Sequence, residues 1–197
     1  MEKINQYEYI WVEKYRPQTI NDLIITESLR SQVKTWIEEG QIPNLGLFSS
    51  TPGTGKTSFA KVIANELNAD CMFVNASKES GIDLVRNKLQ NFASTVSLDG
   101  MIKIAFLDEV DGTTGEMQKS IRGFIEEFTQ NCRFIMTGNY INRIIGPVLN
   151  RLSIIDFDAM FNKNYSEIGK QILNRLEFIL KNENVEYDVE TLKPLLS

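Results

Sequence analysis

Residues 50–58, STPGTGKTS, constrain this chain more tightly than any other stretch. They directly follow the apolar run 45–48 and directly precede a helical run at 59–67, so they read as the loop of a strand–loop–helix unit. The amides of such a loop, with the positive end of the helix behind it, surround an anion. Gly53 and Gly55 permit the backbone geometry, and Thr54 and Ser58 complete the cradle. Lys56 adds a point charge for phosphate, and the Thr57 hydroxyl reaches Mg²⁺. Measured against G-x-x-x-x-G-K-[ST], Ser50 replaces the first glycine. Serine is small and tolerates turns, so the loop is expected to survive.

A strand–loop–helix of this kind needs a sheet to belong to. Five apolar runs, at 45–49, 72–74, 102–107, 133–137 and 154–157, read as buried parallel strands. Between them lie helical patterns. Leu29, Val33, Trp36 and Ile37 share a face that ends at Gly40; Ile82, Val85, Leu89 and Phe92 share another; Met117, Ile121, Phe124, Ile125 and Phe128 share a third. The opposite side of the third carries Gln118, Arg122 and Glu126 at i, i+4, i+8, the pattern of a solvated stripe. This alternation predicts an α/β fold: a five-stranded parallel sheet with helices on both faces and ligands at the carboxyl ends of the strands. After residue 157 the strands stop, and Ile168, Ile172, Leu176, Ile179 and Leu180 mark one long amphipathic helix, with a shorter helical start from Asp188. The expected division is therefore a nucleotide-binding unit over 1–157 and a helical appendage over 158–197.

The run IAFLDEVD at 104–111 places a strand directly before two carboxylates. Strand periodicity would send Asp108 and Glu109 to different sides and so to different tasks: Asp108 to hold Mg²⁺ through its water shell, and Glu109 to orient or deprotonate an attacking water. Composition removes the competing chemistries. The 197 residues contain no histidine, which excludes Ser-His-Asp and Cys-His hydrolysis, and Cys71 and Cys132 alone cannot build a disulfide framework or a four-ligand zinc site. A net charge of −5 makes any contact with nucleic acid local. No apolar run approaches the roughly 18–20 residues of a membrane span, and the N-terminus lacks the apolar block of a secretion signal, so a soluble cytoplasmic protein is expected. The guanine-binding element N-K-x-D is absent, which favours ATP over GTP.

Several segments together resemble the AAA+ ATPases, and among them the sliding-clamp loaders of DNA replication, across nearly the whole chain. WVEKYRP at 11–17 is similar to the N-terminal element whose backbone and aromatic groups line the adenine pocket in that family. The resemblance places Val12, Glu13, Lys14, Tyr15 and Ile24 at the nucleotide. VNASKESGIDLVR at 74–86 resembles the segment leading into a DNA-facing helix, with Lys78, Arg86 and Lys88 as contacts to backbone phosphates. TGN at 137–139 puts Asn139 where the family has its γ-phosphate sensor, and GPVLNRL at 146–152 keeps only the arginine of an S-R-C motif. Arg151 is implied as an arginine finger acting in trans on a neighbouring subunit's ATP. Gln118 resembles a position that couples DNA and nucleotide sites, and Arg122 shares its face.

The resemblance implies a hetero-oligomeric clamp loader subunit that uses ATP and Mg²⁺ to place a sliding clamp on primer–template DNA without reading its sequence. It also implies that residues 158–197 are part of a helical lid whose remaining parts, with a further arginine for the nucleotide and a collar, lie beyond Ser197. The alternatives are another AAA+ DNA motor such as a branch-migration helicase, and an ATP-binding scaffold without turnover.

Overall fold

In the computed structural model, which describes residues 10–77, 82–95, 97 and 100–192, five strands form one sheet. They are β1 (Leu45–Phe48), β2 (Asp70–Asn75), β3 (Lys103–Asp108), β4 (Cys132–Gly138) and β5 (Ser153–Asp156), all paired in parallel in the order β2-β3-β4-β1-β5. The helices are α1 (Trp11–Lys14), α2 (Glu27–Glu38), α3 (Lys56–Glu66), α4 (Ile82–Ser94), α5 (Gly115–Phe128), α6 (Gly146–Leu149), α7 (Phe157–Lys163), α8 (Tyr165–Asn182) and α9 (Val189–Leu192).

Period-two alternation sorts the strand residues onto two cores. Leu45, Leu47, Ile104, Phe106 and Ile135 meet Val33, Phe59, Val62, Ile63 and Phe157 on the face covered by α2, α3 and α7. Phe48, Ala105, Leu107, Phe134 and Met136 meet Val85, Leu89, Ile121, Phe124 and Val148 on the face covered by α4, α5 and α6. Phe59, Phe134 and Phe157 are fully buried, each contributing about 1.5–3 kcal/mol of transfer free energy. Gly46 of β1 allows the edge strand β5 to lie close beside it, since a Cβ there would sit 2.7 Å from Ile154 Cδ1.

Three of the described helices start at a side-chain cap. Thr26 accepts from the Leu29 N–H at 3.3 Å, Thr114 from Met117 at 3.3 Å, and Asp156 from Ala159 at 2.9 Å. The Asp156 cap corrects one boundary: Phe157 begins α7 instead of closing the last strand. β2 is longer than the apolar run 72–74, and as an edge strand it leaves Phe73 49% exposed. The chain leaves β1 through α3 to the far edge, returns inward through β3 and β4, and crosses past β1 to β5. The carboxyl ends of β1 and β4 are thus neighbours whose following segments diverge, the place where open α/β sheets bind ligands.

Candidate functional site

The loop after β1 opens directly into α3, whose N-cap is Gly55 at φ 91°; Gly53, at φ 78°, is also left-handed. Both are conformations that glycine adopts without penalty. Ser50 needs no such freedom, since it is not a positive-φ residue and its N–H donates to Asp158 Oδ2 at 2.6 Å. Asp158 also accepts from the Ser49 hydroxyl at 2.7 Å. Burial pulls the Asp158 carboxyl up, but the Ser49 and Ser50 bonds and the nearby Lys56 charge outweigh it and hold it below the usual carboxylate range.

Lys56 is buried, with Nζ 3.0 Å from Asn139 Oδ1 and 3.4 Å from the carbonyls of Ser49 and Thr51. Burial lowers its pKa, opposed by the charges of Asp158, Asp111 and Asp108. The first strand end and the fourth therefore meet at Lys56. Asn139 is itself fixed: Asp111 Oδ2 accepts from the N–H of Asn139 at 3.2 Å and of Tyr140 at 3.1 Å. At the end of β3, the Thr137 hydroxyl donates to Asp108 Oδ1 and accepts from the Glu109 N–H at 3.2 Å.

Asp108 and Glu109 do separate, but by a different means than strand alternation. Glu109 has left the strand and sits at φ 58°, ψ 43°, a left-handed conformation uncommon for a side chain of this kind. Its carboxylate accepts from the Ser77 hydroxyl, and Ser77 Oγ is also 2.8 Å from Asn75 Oδ1. The residues that could hold Mg²⁺, Thr57 and Asp108, are a hydroxyl and a carboxylate. This is a hard-oxygen pair of the kind Mg²⁺ accepts when phosphate and water fill its other positions, and among the described residues no cluster of three or more acidic, cysteine or histidine side chains offers a complete protein cage.

A cavity of about 880 Å³ runs from residues 51–58 to α8. Val12, Tyr15 and Ile24 line it, as do Gly53, Thr54, Gly55, Lys56, Thr57 and Ser58. Glu13 and Lys14 do not; Glu13 pairs with Arg16, and Lys14 bonds Glu183 at 2.7 Å beside the Tyr15 hydroxyl, also 2.7 Å from that carboxylate. Arg175 of α8 closes the far wall, donating to Asp22 Oδ1 at 3.1 Å and to the Tyr15 carbonyl at 2.9 Å.

Gln118 departs from its expected place on a solvated stripe. It is 2% exposed, donating to the Arg143 carbonyl at 3.0 Å and accepting from the Ile145 N–H at 2.8 Å, because α5 lies over the segment that leads into α6. Arg122 remains exposed, 3.8 Å from Glu126. Arg151, just after α6, is outside the cavity; it ion-pairs with Glu126 and donates to the Pro147 carbonyl at 2.5 Å. Arg86 and Lys88 are exposed on α4, and Lys78 lies outside the described residues.

The family profile "ATPase family associated with various cellular activities (AAA)" matches residues 46–162, which contain the loop, both carboxylates, Asn139 and Arg151. The chain belongs to the AAA ATPase family. This AAA chain is 39% identical over 184 residues to the sliding-clamp-loader large subunit of Escherichia phage RB69, covering 93% of this chain and 57% of that protein. It is 40% identical over 183 residues to the sliding-clamp-loader large subunit of Enterobacteria phage T4, covering 92% and 57%. To the replication factor C small subunit of Saccharolobus solfataricus it is 37% identical over 195 residues, covering 95% and 56%. The AAA chain spans a little over half the length of these curated relatives. A mutant of Thermotoga maritima RuvB superposes with a TM-score of 0.69 at 15% identity, over 93% of this chain and 60% of that one, a likeness of fold.

Sequence reasoning assigned no role to Ser77, Asp111, Thr137, Asp158, Gln171 or Arg175. Ser77, Asp111 and Thr137 lay inside motifs already singled out. Gln171 and Arg175 had a weaker signal, a polar i, i+4 pair beside the apolar stripe of the long C-terminal helix.

Proposed function

We propose that this chain is an ATP-binding and ATP-hydrolysing subunit of a sliding-clamp loader. One observation carries the reading: Lys56, from the loop after β1, meets Asn139, from the end of β4, 3.0 Å away, with Asp108 closing the neighbouring β3 and Glu109 just after it, in a chain similar over nine-tenths of its length to clamp-loader subunits.

The amides of residues 53–58 and Lys56 bind the phosphates, and Thr57 and Asp108 hold Mg²⁺, which supplies charge neutralisation when bound. Val12, Tyr15 and Ile24 surround the base; Glu13 and Lys14 act from behind by positioning the strap that carries them. In hydrolysis a water oxygen attacks the γ-phosphorus, the bond from that phosphorus to the bridging oxygen breaks, and Glu109 takes the water's proton. Glu109 must leave Ser77 to do so. Asn139 hydrogen-bonds the γ-phosphate or the attacking water. Arg151 reaches a neighbouring subunit's ATP after leaving Glu126, so the active form is a hetero-oligomer.

In that assembly Arg86 and Lys88, with Lys78, contact the phosphates of primer–template DNA, and Gln118 with Arg122 relays that contact toward Arg151. Residues 158–197 serve as part of a helical lid over the base. No described helix is long and apolar enough to cross a membrane, and we place the protein in the cytoplasm. The RuvB likeness concerns the fold and does not favour a helicase.

The test is ATP hydrolysis by the chain alone, then with primed DNA and the clamp and loader partners of the same replication system, with Glu109→Gln as the blank. Stimulation by DNA and clamp together is expected. Turnover indifferent to the clamp would sink the loader assignment, and phosphate release equal in the Glu109→Gln variant would sink the catalytic one.

A further inference from the structure

Hydrogen bonds along the cavity wall leave the backbone N–H and carbonyl of one residue unengaged. Leu23, Ile24 and Ile25 all line the cavity. The Leu23 N–H donates to the Ile20 carbonyl at 3.3 Å, and its carbonyl accepts from Arg30 Nη2 at 2.9 Å. The Ile25 N–H donates to Gln171 Oε1 at 3.3 Å, and its carbonyl accepts from Gln171 Nε2 at 2.8 Å. Ile24, between them, has neither its N–H nor its carbonyl bonded to any described residue. Polar backbone groups at the wall of a largely apolar cavity call for a partner.

A free N–H beside a free carbonyl matches the edge of adenine, whose ring nitrogen accepts and whose amino group donates. Guanine and hypoxanthine present a carbonyl and a ring N–H instead, which reverses both roles.

The side chains that produce this arrangement form one cluster. Arg30 is 8% exposed, and its guanidinium donates to the Ile20 and Leu23 carbonyls, to Glu27 Oε1 at 3.0 Å and to Gln171 Oε1 at 3.1 Å. The Gln171 amide is held in one orientation because Arg30 and the Ile25 N–H both need its oxygen while the Ile25 carbonyl needs its nitrogen. Gln171 belongs to α8, one turn before Arg175, which grips Asp22 and the Tyr15 carbonyl.

We propose that Gln171, locked by Arg30, is the positioning residue for base selectivity: by engaging the N–H and carbonyl of Ile25 while Arg30 engages the Leu23 carbonyl, it leaves the N–H and carbonyl of Ile24 to read adenine. The assignment rests on the ATP reading of this cavity. Neither side chain touches the base. Without the Gln171 amide the N–H and carbonyl of Ile25 both lose their partner and the segment rotates, so either purine edge finds a match. Selectivity thereby depends on a helix outside the sheet, and a displacement of α8 loosens the grip on the base before it affects the phosphates.

The experiment compares calorimetric affinities for ATP and inosine triphosphate in the parent, Gln171→Leu and Gln171→Glu chains. The parent prefers ATP. Gln171→Leu lowers that preference about tenfold, through weaker ATP binding with inosine triphosphate nearly unchanged, because the triphosphate contacts are intact. Gln171→Glu keeps the acceptor for Ile25 and Arg30 but not the donor, and falls between. Thermal unfolding checks that each variant is folded, and Arg30→Lys, which keeps the charge but loses the fork, is the second route to the same loss if Gln171→Leu does not fold. An unchanged preference in Gln171→Leu overturns the proposal, whether both affinities hold or both fall together. A parent chain that does not distinguish the two nucleotides overturns the adenine reading itself, a failure visible before any substitution is made.

Discussion

Replacing Gln118 with leucine removes two hydrogen bonds that tie α5 to the segment carrying Arg151, while nearly conserving volume. The Gln118 amide donates to the Arg143 carbonyl at 3.0 Å, and its oxygen accepts from the Ile145 N–H at 2.8 Å, with the side chain 2% exposed. Leucine offers neither group. Each bond contributes about 0.5–1.5 kcal/mol net, and a buried orphan costs about 1–3. Solvent reaches Arg143 and part of Ile145, which puts the total at about 2–3 kcal/mol. For a chain of this length that corresponds to a fall in Tm of about 6–9 °C. Thermal unfolding followed by circular dichroism gives the number, and amide exchange at Ile145 and Val148 locates it. Gln118→Glu, which keeps the acceptor for Ile145, should lose less. A fall under about 2 °C in Gln118→Leu, with Ile145 exchange unchanged, would refute the view that this glutamine anchors the segment.

Lys56→Ala should weaken ATP binding measured by calorimetry, since it removes both a charge and the bridge to Asn139; unchanged affinity would remove the phosphate assignment. Arg151→Ala should leave ATP affinity intact and slow turnover of the assembled loader by up to about 10³-fold. Equal turnover in variant and parent would end the trans role. Burial pushes the thiols of Cys71 and Cys132 up to about 11, so at pH 8 alkylation should run about 100-fold slower than for an ordinary cysteine. The same shift has a sign for stability: the folded chain keeps both thiol protons where the unfolded chain loses them, so the contribution is complete below about pH 9 and lost as pH rises toward 11. A urea midpoint series across that range, with the Cys71→Ala, Cys132→Ala chain declining less steeply, is the check.

Whatever depends on neighbours along the chain is legible in the sequence. The strand, loop and helix around residues 45–66 are contiguous, so Gly53, Gly55, Lys56 and Thr57 could be assigned from spacing alone, and the parallel sheet followed from apolar runs separated by helical periods. Asp108 followed from its place at the end of a strand. The error over how Glu109 separates from it arose because strand alternation stops where the backbone turns left-handed, and sequence pattern does not report that turn.

What the sequence determined by itself, then, is that there is a phosphate loop and a sheet to carry it, because backbone conformation and hydrophobic period are local properties. How the distant groups reach one another, and which further ones join them, only the tertiary structure decided. Placing β1 between β4 and β5 brings Asn139 to Lys56, and Asp158 to Ser49 and Ser50, across more than 80 residues of chain. Docking α8 against residues 15–25 brings Gln171 and Arg175 to a cavity wall about 150 residues away in sequence. A hydrogen bond is satisfied by whatever lies within about 3 Å, and which residues those are is a property of strand order and helix packing.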